Sequence, residues 1–355
     1  MNTSLPDNYS PDGYYQPQIY FEIDTPFIAA HQWPAALIDL ALGRGQEEHK
    51  LLRGTGIFYA DILSGNLKVS PQQCFQLIQN AQKHHNAFEL PFLLGHRLFP
   101  GNYDAAGNAL VNAANLQDAL DILVNYKTLL VPLINPRIVY EKDRLIIYWQ
   151  ATGANDACQI FLAEMMAAAL GALTRWLGDE ALHWQFYFAG AQPVYTEQYE
   201  VHLDGQVTFN APTNAIAIAR EHLHRPWKNT SPSARVIAQR TAEQQLTQLQ
   251  FRQGFLAETY TYLHNNIHSN PNLEHTAADF GMSSASFKRK LKKHHSHFQE
   301  QYDLVRKDLA IYWLSQEGWT NEQVAQKLHF YDAANLRRAF KKWTGALPSK
   351  INKTC

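Results

Sequence analysis

The spacing of apolar residues predicts helices in the first third of the chain. Apolar side chains recur at helical intervals in three stretches, which begin near Trp33, at Pro71 and at Leu116. Proline suits the first position of a helix, and Asn115 is a suitable N-cap because its side chain can accept a hydrogen bond from a free backbone N–H. Residues 1 to about 25 show no such period, and we expect a loose leader there.

The period changes beyond residue 130. Apolar residues alternate or run together from Ile138 to Trp149 around a polar turn at Glu141–Arg144, which predicts a β-hairpin. A long apolar helix is expected from about Gln159 to Leu177. Further strands are expected at Trp184–Phe188, Val207–Phe209 and Ala215–Ile218. A turn at Asn210–Thr213 is expected to join the last two of these strands. The pattern therefore predicts an α+β N-terminal domain, with helices on an antiparallel sheet.

The C-terminal part gives a different signal. Two prolines and small polar residues in 224–234 interrupt every period, and a helical run follows from about Ala234 to Gln250. Only helix signals occur beyond Gly254. We therefore expect a regulatory domain over 1–225, a linker with a helix over 226–250 and an all-α domain over 251–355.

One pattern occurs twice in the all-α domain. Residues 277–293 and 325–342 each contain a short helical segment, a tight turn and a second helix rich in cations. This is the shape of a helix-turn-helix, predicted over 272–293 and 320–342. Four side chains are expected to cap these helices: Asn272, Ser283, Thr320 in a capping box with Gln323, and Asp332.

The second helix of each copy has an apolar face and a cationic face. The residues expected in the core are Phe287, Leu291, Leu336, Phe340 and Trp343. The residues expected to contact DNA are Ser284, Ala285, Ser286, Lys288, Arg289 and Lys292 in the first copy, with Ala334, Asn335, Arg337, Arg338 and Lys341 in the second. Small residues at the start of a helix allow close approach to base edges, and Arg or Lys one turn later can bond guanine O6 and N7. Solvated surface charge is the alternative, and the repetition in register favours DNA.

Charge and spacing support this interpretation. The formal net charge of –1 conceals opposed halves, since residues 256–355 carry 14 Lys and Arg against 9 Asp and Glu, and residues 1–255 carry 17 against 23. The helix predicted between the two copies, residues 298–316, is about 28 Å long. Successive major-groove segments on one face of DNA lie ~34 Å apart, so one chain can present two helices to neighbouring grooves.

The C-terminal motifs resemble a known family. The segment Arg338–Gly345 followed by Pro348, the first copy from Gly281 to Leu291, and Val305–Ala310 are similar to the AraC/XylS family of bacterial transcription regulators over residues 250–352. The resemblance implies base contacts from the second helix of each motif, at Ala285, Lys288, Arg289, Ala334, Arg337 and Arg338. Ala285 stands where relatives carry a larger residue, which shifts specificity onto the four cations.

One residue of the second motif departs from that family pattern. His329 stands where a glycine is usual, and a different backbone conformation is expected in the second turn.

The first 225 residues resemble, less specifically, a sensor domain of arabinose-binding type found in one branch of that family. The similar segments are Leu93–Gly95, Leu116–Tyr126, Val207–Ile218 and Leu223–Pro226. The resemblance implies a small-molecule effector without identifying it as a sugar, and the predicted element order does not suggest a cupin barrel. The expected partners are double-stranded promoter or operator DNA, the effector, RNA polymerase and a second copy of the chain in a homodimer.

Other functions find less support in the sequence. Alternatives are an enzyme with a DNA-binding appendage and a regulator whose first domain makes only protein contacts, but the common catalytic and nucleotide-binding motifs are absent. The adjacent histidines at 294–297 are typical of a turn rather than a metal site. Three dispersed cysteines and a polar N-terminus predict a cytoplasmic protein without disulfides, cofactor or membrane segment.

Overall fold

The chain divides by its internal contacts into two units. The computed structural model describes residues 19–84, 87–99, 101, 103–151, 153, 155–178 and 182–350. One unit comprises residues 23–250, and the other comprises 251–355 together with the segment that ends at Glu22. Residues 19–22 therefore belong with the C-terminal unit, whereas the sequence pattern placed them in the regulatory domain. Of the loose leader expected over residues 1 to about 25, residues 1–18 lie outside the described residues. In the described part the expectation is wrong, because Phe21 and Ile23 are buried.

The N-terminal unit combines helices with a sheet, as predicted. Its helices are α1 (Trp33–Gly43), α2 (Glu48–Leu51), α3 (Tyr59–Leu63), α4 (Pro71–Gln82), α5 (Leu90–Leu98), α6 (Asp104–Val111), α7 (Leu116–Asn125), α8 (Lys127–Leu130), α9 (Asp156–Leu177), α10 (Thr196–His202) and α11 (Pro232–Leu249). Its strands are β1 (Ile28–Ala29), β2 (Lys68–Val69), β3 (Ile134–Tyr140), β4 (Arg144–Ala151), β5 (Trp184–Tyr187), β6 (Gly205–Thr208) and β7 (Ala215–Ala219).

Three helices of the N-terminal unit lie where the apolar periodicity and the helix-start residues predict them. The three apolar repeats correspond to α1, α4 and α7. Pro71 is the first residue of α4, and the side chain of Asn115 caps α7 by accepting a hydrogen bond from the Asp118 N–H. These three predictions are confirmed.

The larger sheet has five strands in the order β3-β4-β7-β5-β6. The predicted hairpin is present, with Ile138 opposite Ile147, and β7 pairs antiparallel with both β4 and β5. The expected pairing of the last two strands is wrong, because β5 lies between them and pairs parallel with β6. Residues 210–213 are thus part of a longer connection, not a hairpin turn. The sheet is antiparallel apart from this pair.

Helix α9 forms the centre of the N-terminal unit. It has 22 residues, more than the sequence predicted, and it packs along α5. By length and composition it is the one described helix that could cross a membrane, but 78% of its most apolar window is buried inside the protein. Core helices have the same composition, and this burial is that of a core helix.

The expected linker helix, α11, packs within the N-terminal unit against α6. Arg235 forms an ion pair with Asp118, and the hydroxyl of Tyr126 donates to the Gln239 carbonyl over 3.2 Å. The helix ends at Gln250, whose φ of 64° is left-handed. These contacts attach the helix to residues 23–250 along much of its length.

The regular elements described within residues 251–350 are helices, as predicted. They are α12 (Phe255–Asn265), α13 (Leu273–Asp279), α14 (Ser284–Lys293), α15 (Phe298–Ser315), α16 (Asn321–Lys327) and α17 (Ala333–Thr344). Helix α15 connects the two helix pairs and contacts α12, α16 and α17. One apolar core joins these helices, and it includes Phe255, Phe280 and Val305.

Candidate DNA-binding interface

Both predicted helix-turn-helix motifs are present, one formed by α13 and α14 and the other by α16 and α17. The four predicted N-caps are confirmed, since each side chain accepts a hydrogen bond from the backbone N–H three residues later: Asn272, Ser283, Thr320 and Asp332. Thr320 and Gln323 form the expected reciprocal capping box. Polar side chains thus fix the start of every helix in the two motifs.

One residue in each turn of the two motifs has the same left-handed backbone conformation. Gly281 in the first turn has a φ of 66°, and His329 in the second has a φ of 59°. The expectation of a different conformation at His329 is therefore wrong. A left-handed conformation costs a non-glycine residue about 1–2 kcal/mol. The His329 ring offsets part of this cost, because its Nε2 lies 3.0 Å from the Ile267 carbonyl oxygen and forms a hydrogen bond with it.

Burial of the apolar faces orients the second helices. Phe287, Leu291, Leu336 and Phe340 are all at most 1% exposed, as expected. Trp343 is partly buried and packs against the same core. Because these side chains lie on one side of α14 and α17, the opposite side of each helix must face away from the core.

The predicted contact residues lie on that outer side. The exposed ones are Ala285, Lys288, Arg289, Lys292, Ala334, Arg337, Arg338 and Lys341, and the partly exposed ones are Ser284, Ser286 and Asn335. None of these cations forms an ion pair with a residue that the structure describes. Arg338 Nη2 donates to Asn335 Oδ1 at 2.5 Å, which directs its guanidinium toward the start of α17. Each helix therefore presents uncompensated positive charge beside small residues.

The structure adds a contact at the edge of this surface that the sequence did not predict. Lys290 and Lys293 of α14 both bind the carboxylate of Glu22, with 2.6 Å between Lys293 Nζ and Glu22 Oε2. Burial acts to raise the pKa of Glu22, but the hydrogen bonds from the two lysines lower it overall. Residues so far apart in sequence give no local signal, so their pairing could not be inferred.

The sequence analysis also did not predict an exposed aromatic side chain near α17. Tyr331 precedes the N-cap Asp332 and is 94% exposed, although tyrosine is normally at least half covered. It lies in the turn one residue before the N-cap of α17, which carries predicted contact residues. The presence of a tyrosine in a predicted turn was the signal that could have identified this residue.

Comparison with known families agrees with this geometry. The arabinose-binding N-terminal domain of AraC transcription regulators matches residues 45–227, which is just over half of the chain, and a helix-turn-helix domain matches residues 276–354. The chain belongs to the AraC family of transcription regulators. It is accordingly a DNA-binding transcription regulator with a sensor domain of the arabinose-binding type.

Two transcription regulators are similar over most of the chain, and a third is similar over about a quarter of it. The ornithine utilization regulator of Pseudomonas aeruginosa is 27% identical over 315 residues, which cover 88% of this chain and 93% of that protein. The crystal structure of the transcriptional regulator CdpR from the same organism covers 90% of this chain and 97% of its own, with 17% identity and a TM-score of 0.44. A DNA-binding transcriptional dual regulator from Escherichia coli covers 26% of this chain and 83% of its own, with 21% identity and a TM-score of 0.25.

We expect Arg338→Ala to weaken binding to a specific operator by about 1–3 kcal/mol and to remove preference at one or two base pairs. The reason is that Arg338 is exposed and held by Asn335 near the helix start. Arg338→Lys is the matched control, because it keeps the charge and loses the forked geometry. Binding to a set of single-base operator variants measures both effects. Equal loss on every sequence would mean that Arg338 contacts phosphate.

We expect Lys292→Ala to weaken binding to all sequences alike, because Lys292 is exposed at the C-terminal turn of α14, beyond the positions predicted to contact bases. The slope of log K against log salt should fall by about one. A salt titration measures this slope, with Lys350→Ala, an exposed cation outside both motifs, as the control. An unchanged slope for Lys292→Ala removes that residue from the interface.

Proposed function

We propose that this regulator reads two successive major-groove segments of one operator, with α14 in the first and α17 in the second. The observation that carries the proposal is the matched exposure of small residues and unpaired cations on both helices, each following a left-handed turn residue. Helix α15 supports it, because its 18 residues give a length of about 27 Å, close to one turn of DNA.

The base contacts are assigned by position on the helices. Lys288 and Arg289 of α14, with Arg337 and Arg338 of α17, are proposed to bond guanine edges. Ser284, Ala285, Ser286, Ala334 and Asn335 lie at the start of the two helices, where they permit close approach. Lys292 and Lys341 are proposed to contact phosphates, because each lies three residues beyond the last proposed base-contacting cation of its helix.

Footprinting of the full chain tests this arrangement. The operator is first isolated by selection from random duplex DNA, and hydroxyl radicals then report the protected backbone. We expect two protected segments on one face, centred about one helical turn apart. A single protected segment, or binding without sequence preference at moderate salt, would contradict the proposal.

The N-terminal unit is proposed to sense a small effector and so to change the population of DNA-competent states. Its similarity to the arabinose-binding type supports a small-molecule ligand. Because the relative that is 27% identical is named for ornithine utilization, basic amino acids are the first effectors to test. Thermal shift of the full chain against such compounds tests this part.

The remaining partners and the cellular setting are proposed from the family. We propose that the chain acts by binding rather than by catalysis, since the matched relatives are transcription regulators. A cytoplasmic location, a homodimer and contact with RNA polymerase at the promoter accord with that role. Sedimentation of the full chain with and without operator DNA tests the homodimer.

A further inference from the structure

One carboxyl group lies in the buried middle of the apolar helix α9. Glu164 is 2% exposed, between the buried residues Ala163 and Met165. Its Oε1 accepts hydrogen bonds from the hydroxyl groups of Tyr195, at 3.0 Å, and Tyr199, at 2.5 Å. Its Oε2 has no hydrogen bond with any residue that the structure describes. Half of the accepting capacity of this carboxyl group is therefore unused.

No described cation compensates Glu164. Burial raises the pKa of this carboxyl to about 7, and the hydrogen bonds from the two tyrosines offset only part of that effect. Glu141 of the same unit differs, because its carboxylate pairs with Arg144 at 2.7 Å. A buried carboxylate without a counter-charge is costly, and a positive charge placed beside it recovers much of that cost.

Aromatic rings connect Glu164 with the surface. Phe88 stacks on Tyr195 with 4.7 Å between ring centroids, and Tyr195 stacks on Tyr199 at 6.1 Å. Phe92 meets Tyr199 edge-on at 5.0 Å. Phe88 is 50% exposed, whereas Phe92 and Tyr199 are buried. We call these four rings and Glu164 the Glu164 cluster. The cluster extends from the half-exposed ring of Phe88 to the buried carboxyl group of Glu164.

We infer that the Glu164 cluster binds a protonated amine of the effector. This inference rests on the proposed function, in which the N-terminal unit senses a small molecule. The ammonium group donates to Oε2 and supplies the missing counter-charge. An anionic effector would be repelled by the carboxylate, and an uncharged polyol would leave the buried charge uncompensated.

The ligand arm of the test uses the full wild-type chain. Calorimetry compares L-ornithine with L-norvaline, L-lysine with L-norleucine, and putrescine with the diol of the same length, so that each pair differs in the terminal amine. We expect at least one amine to bind about ten-fold or more tightly than its partner, equivalent to about 1.4 kcal/mol. Equal binding within every pair, or no binding of the three amines at millimolar concentration, overturns the inference.

The variant arm compares Glu164→Gln with Glu141→Gln. Glutamine keeps an acceptor for the two tyrosines and removes the charge, so we expect the Glu164 variant to bind the amine about ten-fold more weakly or worse. The Glu141 variant, which loses an acid already paired, should bind as the wild type does. Unchanged amine binding by the Glu164 variant also overturns the inference.

Operator binding separates this inference from the proposed function. If the wild-type chain binds its operator and responds to an uncharged or anionic metabolite, the regulator stands and the amine site fails. If the chain has no sequence preference for DNA, the proposed operator recognition fails, whatever the amines do. Urea unfolding of Glu164→Gln shows whether the N-terminal unit of the variant is folded.

Discussion

We expect Gly95→Ala to lower the free energy of unfolding of the N-terminal unit by about 3 kcal/mol, the upper end of the usual cost of overpacking. Helix α5 packs closely against α9 at this glycine. A Cβ atom there would lie 2.3 Å from the Met165 carbonyl oxygen and 2.7 Å from the Ala168 Cβ. Because the first of these is a backbone atom, no rotamer change relieves the clash, and the two helices must separate.

Gly171→Ala is the matched control, because Gly171 lies on α9 itself and a Cβ added there meets nothing within 4 Å. Alanine in a helix is favoured over glycine by about 0.5–1 kcal/mol, so this variant should be more stable than the wild type. Urea unfolding of the full chain, followed by tryptophan fluorescence, measures both changes. If Gly95→Ala is as stable as Gly171→Ala, the two helices are not in close contact at residue 95.

Local chemistry explains why the C-terminal motifs could be predicted in detail. N-caps such as Ser283 and Asp332 act on N–H groups three residues away, so sequence alone identifies them. The exposed face of α17 follows in the same way from the buried positions of Leu336 and Phe340. Assignment of particular side chains to bases or phosphates stays a prediction, because it depends on the DNA.

Most of the features that could not be predicted depend on residues that are far apart in the sequence. Strand β5 lies between β6 and β7, and no local signal distinguishes this order from a hairpin of the last two strands. The same holds for Glu22, which binds lysines more than 260 residues away. Glu164 lies in an apolar stretch of the sequence, and nothing local indicates its tyrosine partners, because they come from a separate part of the chain.

His329 shows how tertiary context overrides a local expectation. The absence of glycine suggested a changed turn, but the backbone keeps the left-handed conformation of Gly281. A hydrogen bond with the Ile267 carbonyl and the burial of Leu328 beside it stabilise this turn. The second turn is nevertheless one residue longer, with four residues between α16 and the N-cap Asp332 against three between α13 and the N-cap Ser283.

We expect the N-terminal unit to lose about 3 kcal/mol of stability as the pH rises from about 4.5 to above 7, because of Glu164 alone. Burial raises the pKa of this carboxyl from 4.5 to about 7, so the folded state holds the proton more tightly than the unfolded state. The stabilising effect is complete below the unfolded pKa and is lost as the pH passes through the folded pKa. Glu164→Gln removes this dependence, since glutamine resembles the protonated acid.

The difference between wild type and Glu164→Gln isolates this effect from other titrating groups. Tyr195 and Tyr199 stay protonated throughout, because burial raises the pKa of each. Burial lowers the pKa of His96 and of His202, so these rings destabilise the fold at low pH in both proteins and cancel in the difference. Urea unfolding across the pH range should therefore show equal stability near pH 4 and a more stable variant above pH 7. A difference in stability between the two proteins that does not change with pH would mean that Glu164 titrates alike in the folded and unfolded chain. A bound amine should diminish this difference by stabilising the wild type at high pH.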